Sequence, residues 1–428
     1  MIPALQGKSF GVPSFANLSL VLTPATGYQT LWMQKSDYET RPAYPYERDP
    51  GKIRVPRGEL HSIDAKWAVM MHLSDDRAFP PPLFRLMSEQ GLYLKPGTLQ
   101  SRLHTMSLPS HFTLNTGAKI PAVGFGTWQA KPLEVENAVE VALKQGYRHI
   151  DCAAIYRNET EVGNGIRKSG VPREEIFITG KLWNTKHAPE DVEPALNKTL
   201  KDLGVDYLDL YLMHWPCAFK SGDKWFPLND DGVFELADVD YITTYKAMEK
   251  LLATGKVRAI GVSNFNVRRL EELLSQVTVV PAANQIEAHP YLQQPDLLKF
   301  CQSKGIVVEA YSPLGNNQTG EPRTVDDPLV HTVAAQLGMD PGPLLASWGV
   351  QRGTVVLSKS VTPSRIAANL QVQRLPEDAY GALTSLERHK RFNFPAFWGY
   401  DIFEEVGEEA VRKAALEAAP VNKTKFTV

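Results

Sequence analysis

From about residue 122 onward the chain alternates between two patterns. Short runs that are apolar or β-branched at nearly every position are separated by longer stretches whose apolar residues recur every three or four positions. The runs are "AVGFGT", "HIDCAA", "IFITGKL", "YLDLYLMHW", "VRAIGVSN", "VVPAANQIEA", "IVVEAYSP" and "TVVLSKSV". Between them lie helical stretches such as "EVENAVEVALKQG", "DVEPALNKTLKDLG", "YITTYKAMEKLLATG", "VRRLEELLSQ" and "QPDLLKFCQSKG". Four of these stop at Gly146, Gly204, Gly255 and Gly305, the residue type that most easily takes the left-handed turn ending a helix. Eight strand–helix units in roughly 250 residues predict an α/β fold, a (β/α)8 TIM barrel, rather than a six-stranded open sheet. Ahead of the first strand, "SLPSHFTLNTGAKIPAVGFGTW" reads as a hairpin.

Residues 1–105 carry no such pattern. They are rich in proline, with the run Pro80-Pro81-Pro82, and their apolar patches such as "LSLVL" do not repeat with a core-building period. The division expected is therefore a poorly ordered extension over 1–105 and a barrel domain over 106–428, with Met106 as a true or alternative start; a genuine accessory segment is the competing reading. A net charge of −2 leaves no electrostatic footprint for nucleic acid or an acidic membrane. No run approaches the roughly 18 apolar residues that span a bilayer, and the first residues lack the charged and apolar regions of a secretory signal. The cysteines, Cys152, Cys217 and Cys301, are far apart and odd in number, which argues for a reducing compartment rather than a disulfide framework or zinc site. The cytoplasm is the expected location.

In a (β/α)8 barrel, chemistry sits where the strands end. Polar residues recur there: Asp151 closes the second run, with Tyr156 five positions on, Lys181 closes the third and His214 the fourth. Taken singly, an aspartate at a strand end caps a helix and a histidine is a satisfied core residue. Together they form a chemical set. A lysine in a barrel mouth is costly without a counter-charge, which Asp151 can supply. The ammonium in turn favours the ionised phenol of Tyr156, making it a better acid or base near neutrality. His214 can orient a carbonyl oxygen. No metal site is expected, since no H-x-H or comparable ligand cluster occurs.

These blocks resemble the aldo-keto reductase superfamily, in its fungal-type aldehyde, aldose and glycerol reductase branch. "GFGTWQ", "HIDCAAIYRNE", "GKLW", "YLMHWP", "GVSNF", "NQIEAHPYLQQ", "AYSPLG" and "LSKSVTPSRIAANL" match in order and spacing, and the likeness runs from about residue 111 to at least 398. The resemblance implies that Asp151, Tyr156, Lys181 and His214 are a catalytic tetrad with Tyr156 as proton donor. It implies NADP(H) as cofactor, held on the barrel, for the chain has no G-x-G-x-x-G signature. Ser263, Asn264 and Gln285 correspond to groups that bind the nicotinamide amide, Tyr311 to the ring that stacks on it, and Ser312 and Leu314 to the pyrophosphate loop. Lys359, Ser360 and Arg365 correspond to the pocket of the adenosine 2′-phosphate, with Asn369 beside the adenine. Two cations and a hydroxyl suit a phosphate dianion. Trp128, Trp183, Trp215 and Phe219 match positions lining the substrate pocket together with His214. "KRFNFP" resembles the segment whose asparagine, here Asn393, contacts sugar hydroxyls in aldose and xylose reductases, and a C-terminal substrate loop is expected there. The polar stretch "NNQTGEPRTVDDP" is placed over the cofactor.

The chain departs from the pattern at Ala368, where many members have Glu, at Ser358, a common Pro, and at Gly180, a common Ser; after Asn393 it diverges from xylose reductases. The expected activity is NADPH-dependent reduction of glyceraldehyde, aldoses or other small aldehydes. NADP-dependent oxidation of glycerol or another polyol is the alternative, and a cofactor-binding regulatory subunit a more distant one. The expected partner is the small-molecule carbonyl or polyol, with no nucleic acid or membrane, and the chain as a monomer or weak dimer.

Overall fold

The computed structural model describes residues 19–21, 28–32, 52–56, 107–130, 133–318 and 320–426. The chain divides into two compact units, Met1–Lys95 and Pro96–Val428. In the first, three strands pair antiparallel in sequence order: β1 (Ser19–Val21), β2 (Tyr28–Trp32) and β3 (Lys52–Pro56). The expectation of a poorly ordered extension over 1–105 otherwise lies outside the described residues.

The second unit is a closed barrel of eight parallel strands: β6 (Val123–Gly126), β7 (His149–Asp151), β8 (Phe177–Leu182), β9 (Leu210–Met213), β10 (Ile260–Ser263), β11 (Ala283–Glu287), β12 (Val307–Tyr311) and β13 (Val355–Ser358). Each falls inside one of the eight apolar runs. Every residue of β8 is buried, because the barrel interior covers one face and helices the other, and that double burial makes the runs continuous rather than alternating. Along the outer surface lie α1 (Glu134–Lys144), α2 (Glu159–Ser169), α3 (Pro189–Leu203), α4 (Tyr241–Leu251), α5 (Val267–Leu274) and α6 (Pro295–Ser303). The pair α7 (Pro328–Leu337) and α8 (Pro341–Gln351) leads into β13, and α9 (Pro363–Asn369) follows it. All four helix-ending glycines have positive φ. Helix α2 runs so close to α1 that a Cβ at Gly165 would stand 2.5 Å from the Glu136 carbonyl oxygen.

The expected hairpin is β4 (His111–Thr113) with β5 (Lys119–Pro121). Its Leu114 and Ile120 pack with Phe177, Leu210, Ala283 and Val355, residues at the beginnings of barrel strands. The hairpin therefore plugs the end where the strands start and leaves the other end for the site. At Gly180, which departs from the family pattern, a Cβ would meet Leu208 Cδ1 at 2.7 Å, a contact the leucine side chain would have to yield. After α10 (Glu377–Thr384), an extended segment passes the barrel mouth. It continues into α11 (Glu408–Phe426), a 19-residue helix that follows the expected loop at Asn393. Among the described residues no helix is long and apolar enough to cross a membrane, and Cys152, Cys217 and Cys301 are buried and free.

Candidate active site

The chain leaves β7 at Asp151 and tightens into a single 3-10 turn, Ala154–Tyr156, which Arg157 ends in a left-handed conformation. That turn brings Tyr156 back over the strand ends. Lys181, one position before the end of β8, has no exposed surface. Its Nζ donates to both Asp151 oxygens at 2.7 Å, to the Cys152 carbonyl at 2.9 Å and to Tyr156 Oη at 3.4 Å. His214 follows β9 directly, its ring edge-on to Tyr156 with centroids 5.8 Å apart. The four residues that the sequence singled out thus form one cluster.

Electrostatics sort their protonation states. Burial works against the Lys181 ammonium, but Asp151 and the surrounding groups outweigh it and hold the lysine above its ordinary pKa. Burial pushes the Tyr156 phenol up to about 12, against the pull of Lys181. The ammonium acts in the expected direction, yet desolvation is larger, so the phenol keeps its proton at neutral pH. Burial also drives His214 well below its usual value, reinforced by Lys181 and His187, and the ring is neutral. Its Nδ1 is buried without a hydrogen-bond partner.

An elongated cavity of about 760 Å³ opens above this cluster. On one side Ser263, Asn264 and Gln285 form a connected floor. Ser263 Oγ donates to the Gln285 carbonyl at 2.7 Å, Asn264 Nδ2 to the His214 carbonyl at 2.9 Å, and Tyr311 Oη to Asn264 Oδ1 at 2.7 Å. Asn264 and Ser312 leave their strands at φ 67 and 48, a left-handed conformation that non-glycine residues adopt at a cost of about 1 kcal/mol or more. Both line the cavity, with Leu314 beside them. Farther along stand Lys359, Ser360 and Arg365, where β13 passes into α9. The polar stretch after Ser312 contributes Asn316, Asn317, Gln318 and Arg323 to the wall, and Glu321 pairs with Lys390 on the C-terminal segment. Two cations and a hydroxyl at one end, amides and an aromatic ring at the other, could hold a nicotinamide dinucleotide cofactor. Among the described residues no group of three or more His, Cys, Asp or Glu could hold a metal ion.

The sequence pattern of the Aldo/keto reductase family matches residues 122–388. The chain is 51% identical over 269 residues to "Aldo-keto reductase family 1 member A1" of Homo sapiens, covering 60% of this chain and 83% of that protein. It is 48% identical over 295 residues to the Cricetulus griseus protein of the same name, covering 66% and 91%. The chain belongs to the aldo/keto reductase family. It is an oxidoreductase of the class that acts on carbonyls.

Within this aldo/keto reductase the substrate side differs from the sequence expectation in depth. Trp128, Trp183 and Trp215 line the cavity, but Phe219 does not. It is buried behind them, 5.9 Å from the Trp183 ring and 5.1 Å from the Trp398 ring. Asn369 likewise stands off the cavity, at the end of α9 and turned toward Gly342. Asn393 lines it, with Nδ2 directed at Ser312 Oγ, 3.3 Å away. The wall that sequence reasoning missed is aromatic: Phe226, Phe397, Trp398 and Phe426, with Lys425 beside them. Phe426, at the end of α11, lies 4.6 Å from the Phe226 ring across 200 residues of chain. Glu309, beneath the floor, was also missed. A carboxylate inside "VVEAY" is the same signal that identified Lys181 in "FITGKL".

Proposed function

We propose that this reductase converts small aldehydes to alcohols with NADPH, using Tyr156 as the proton donor. The supporting observation is the buried Lys181 ammonium, held by both Asp151 oxygens at 2.7 Å and directed at the Tyr156 oxygen at the floor of the cavity. The cofactor, when bound, supplies the hydride to the carbonyl carbon. His214, neutral, can hydrogen-bond the carbonyl oxygen and hold it near Tyr156. As the oxygen gains negative charge, the Tyr156 O–H proton passes to it, and the phenolate left behind is stabilised by the Lys181 ammonium. Asp151 keeps that ammonium charged. Ser263, Asn264 and Gln285 fit the nicotinamide amide, and Lys359, Ser360 and Arg365 the 2′-phosphate. Oxidation of glycerol or another polyol runs through the same groups in reverse and needs the phenolate as base. A phenol pushed up to about 12 is protonated in the free protein, the form from which reduction starts.

The walls support a substrate class. Trp183, Trp215, Phe226, Phe397, Trp398 and Phe426 offer broad apolar faces, with Asn393 and Lys425 as polar neighbours. Aldehydes with an apolar or aromatic flank fit such a pocket better than aldoses. The experiment follows NADPH absorbance against aromatic aldehydes, glyceraldehyde, aldoses and, with NADP, glycerol. Turnover by Tyr156→Phe should fall by roughly 10²–10⁴ with cofactor binding retained. Near-normal turnover by that variant refutes the mechanism.

A further inference from the structure

Glu309 sits in the middle of β12 with no exposed surface, and no step of the proposed reaction uses it. A carboxyl group in a barrel interior is costly to bury, so its contacts matter. Its strand neighbour in register is Gln285 on β11 and, on the other side, the apolar Val355 on β13. The Gln285 amide spans two carboxyl groups: Nε2 donates to Asp151 Oδ1 at 2.9 Å and to Glu309 Oε2 at 3.1 Å. Glu309 Oε1 has no partner.

A side-chain amide offers two N–H donors and one carbonyl acceptor. Here both donors are taken from below by carboxyl oxygens. Turning the amide over would set its carbonyl oxygen against the Asp151 carboxylate, acceptor facing acceptor. The orientation is therefore fixed by chemistry, and Oε1 is the atom left for the cavity that Gln285 lines.

We infer that Glu309 is a positioning residue, which takes the second N–H of Gln285 and locks that amide with its carbonyl oxygen free to accept from the carboxamide of a bound nicotinamide. The inference rests on the cofactor reading above. The charged groups acting on Glu309 are Asp151 from β7 and Lys181 from β8. Burial, helped by Asp151, pushes the Glu309 carboxyl up to about 8, against Lys181 and the Gln285 hydrogen bond. At neutral pH it keeps its proton and leaves the Asp151–Lys181 pair balanced. Above that range its charge competes with Asp151 for the one ammonium and the one amide.

The test measures NADPH affinity by protein fluorescence, with turnover and melting temperature, for the parent, Glu309→Gln and Glu309→Leu from pH 6 to 9.5. Glu309→Gln still accepts from Gln285, so at pH 7 it should bind NADPH within about twofold of the parent. It should also lose the parent's change in affinity near pH 8. Glu309→Leu leaves the second N–H unpaired and should weaken NADPH roughly tenfold, with a smaller effect on turnover and no fall in melting temperature. Binding by Glu309→Leu within twofold of the parent overturns the inference. So does a fall in melting temperature that tracks the loss of affinity, which would mark a purely structural role. Should Glu309→Leu not fold, Glu309→Gln decides alone: a change near pH 8 that survives in it overturns the inference. A parent protein that does not bind NADPH refutes the cofactor reading instead.

Discussion

Replacing Lys181 with methionine separates the energetics of the buried pair from its chemistry. The Lys181 side chain has no exposed surface and Asp151 only 6%, with 2.7 Å between Nζ and Oδ1. At that separation and an effective dielectric near 20, the attraction amounts to about 6 kcal/mol. Desolvating two charges costs several kcal/mol each, so the intact pair contributes little net stability. Removing one partner is different, because the other charge stays buried. Lys181→Met leaves Asp151 with the Gln285 amide as its remaining side-chain donor, and should destabilise the chain by about 3–5 kcal/mol. Asp151→Asn should cost about 3 kcal/mol, since the lysine can still bond the Cys152 carbonyl and can release its proton. The double variant Asp151→Asn/Lys181→Met buries no charge at this point. Its loss should therefore be about 1–3 kcal/mol smaller than the sum of the two single losses. Urea unfolding followed by circular dichroism on the four proteins measures this, provided the slope with denaturant is unchanged. All three variants should be nearly inactive, so a recovery of stability without recovery of turnover is the signature. Single losses that add to within about 0.5 kcal/mol would refute the reasoning, for the two charges would then not be acting on one another.

Two further outcomes bear on the cofactor end and on pH. Arg365→Ala should weaken NADPH binding at least tenfold, about 1.4 kcal/mol, and leave NADH nearly unchanged; equal affinity of the parent for both cofactors would remove the basis for assigning Lys359, Ser360 and Arg365 to a phosphate. Glu159, at the start of α2, is buried with Oε1 unpartnered, and burial raises its carboxyl to about 7. The folded chain then keeps a proton that the unfolded chain loses above about pH 4.5, so its stability falls as pH rises between those values. Glu159→Gln should be more stable than the parent, by a margin that widens from pH 5 to 7 at up to about 1.4 kcal/mol per unit and then levels. Equal urea-midpoint differences at pH 5 and 7.5 would contradict the assignment.

What could be read from the sequence was whatever burial imposes on both faces of one element. The barrel strands announce themselves because interior and helices exclude polar residues from them, so Asp151 and Lys181 stand out at the ends of such runs. Glu309 breaks the same rule in the same way. It escaped because it lies in the middle of its strand, not at the end where barrel chemistry sits. The substrate wall failed for a different reason. Phe226, Phe397, Trp398 and Phe426 are ordinary aromatics locally, and only the path of the C-terminal segment and α11 brings them together. Helix α11 is itself faint in sequence, since the residues it buries, Val411, Ala415, Ala419 and Asn422, are small or polar. Phe219 shows the limit of reasoning by position. Its place in the chain matches a pocket residue, but the Trp183 and Trp398 rings occupy the layer in front of it, and depth within a packed cluster is a property of neighbours that spacing does not encode. The polar cluster at the strand ends is thus written in single residues that violate burial, whereas the aromatic wall of the cavity is distributed over a surface that exists only once the last helix has brought Phe426 to it.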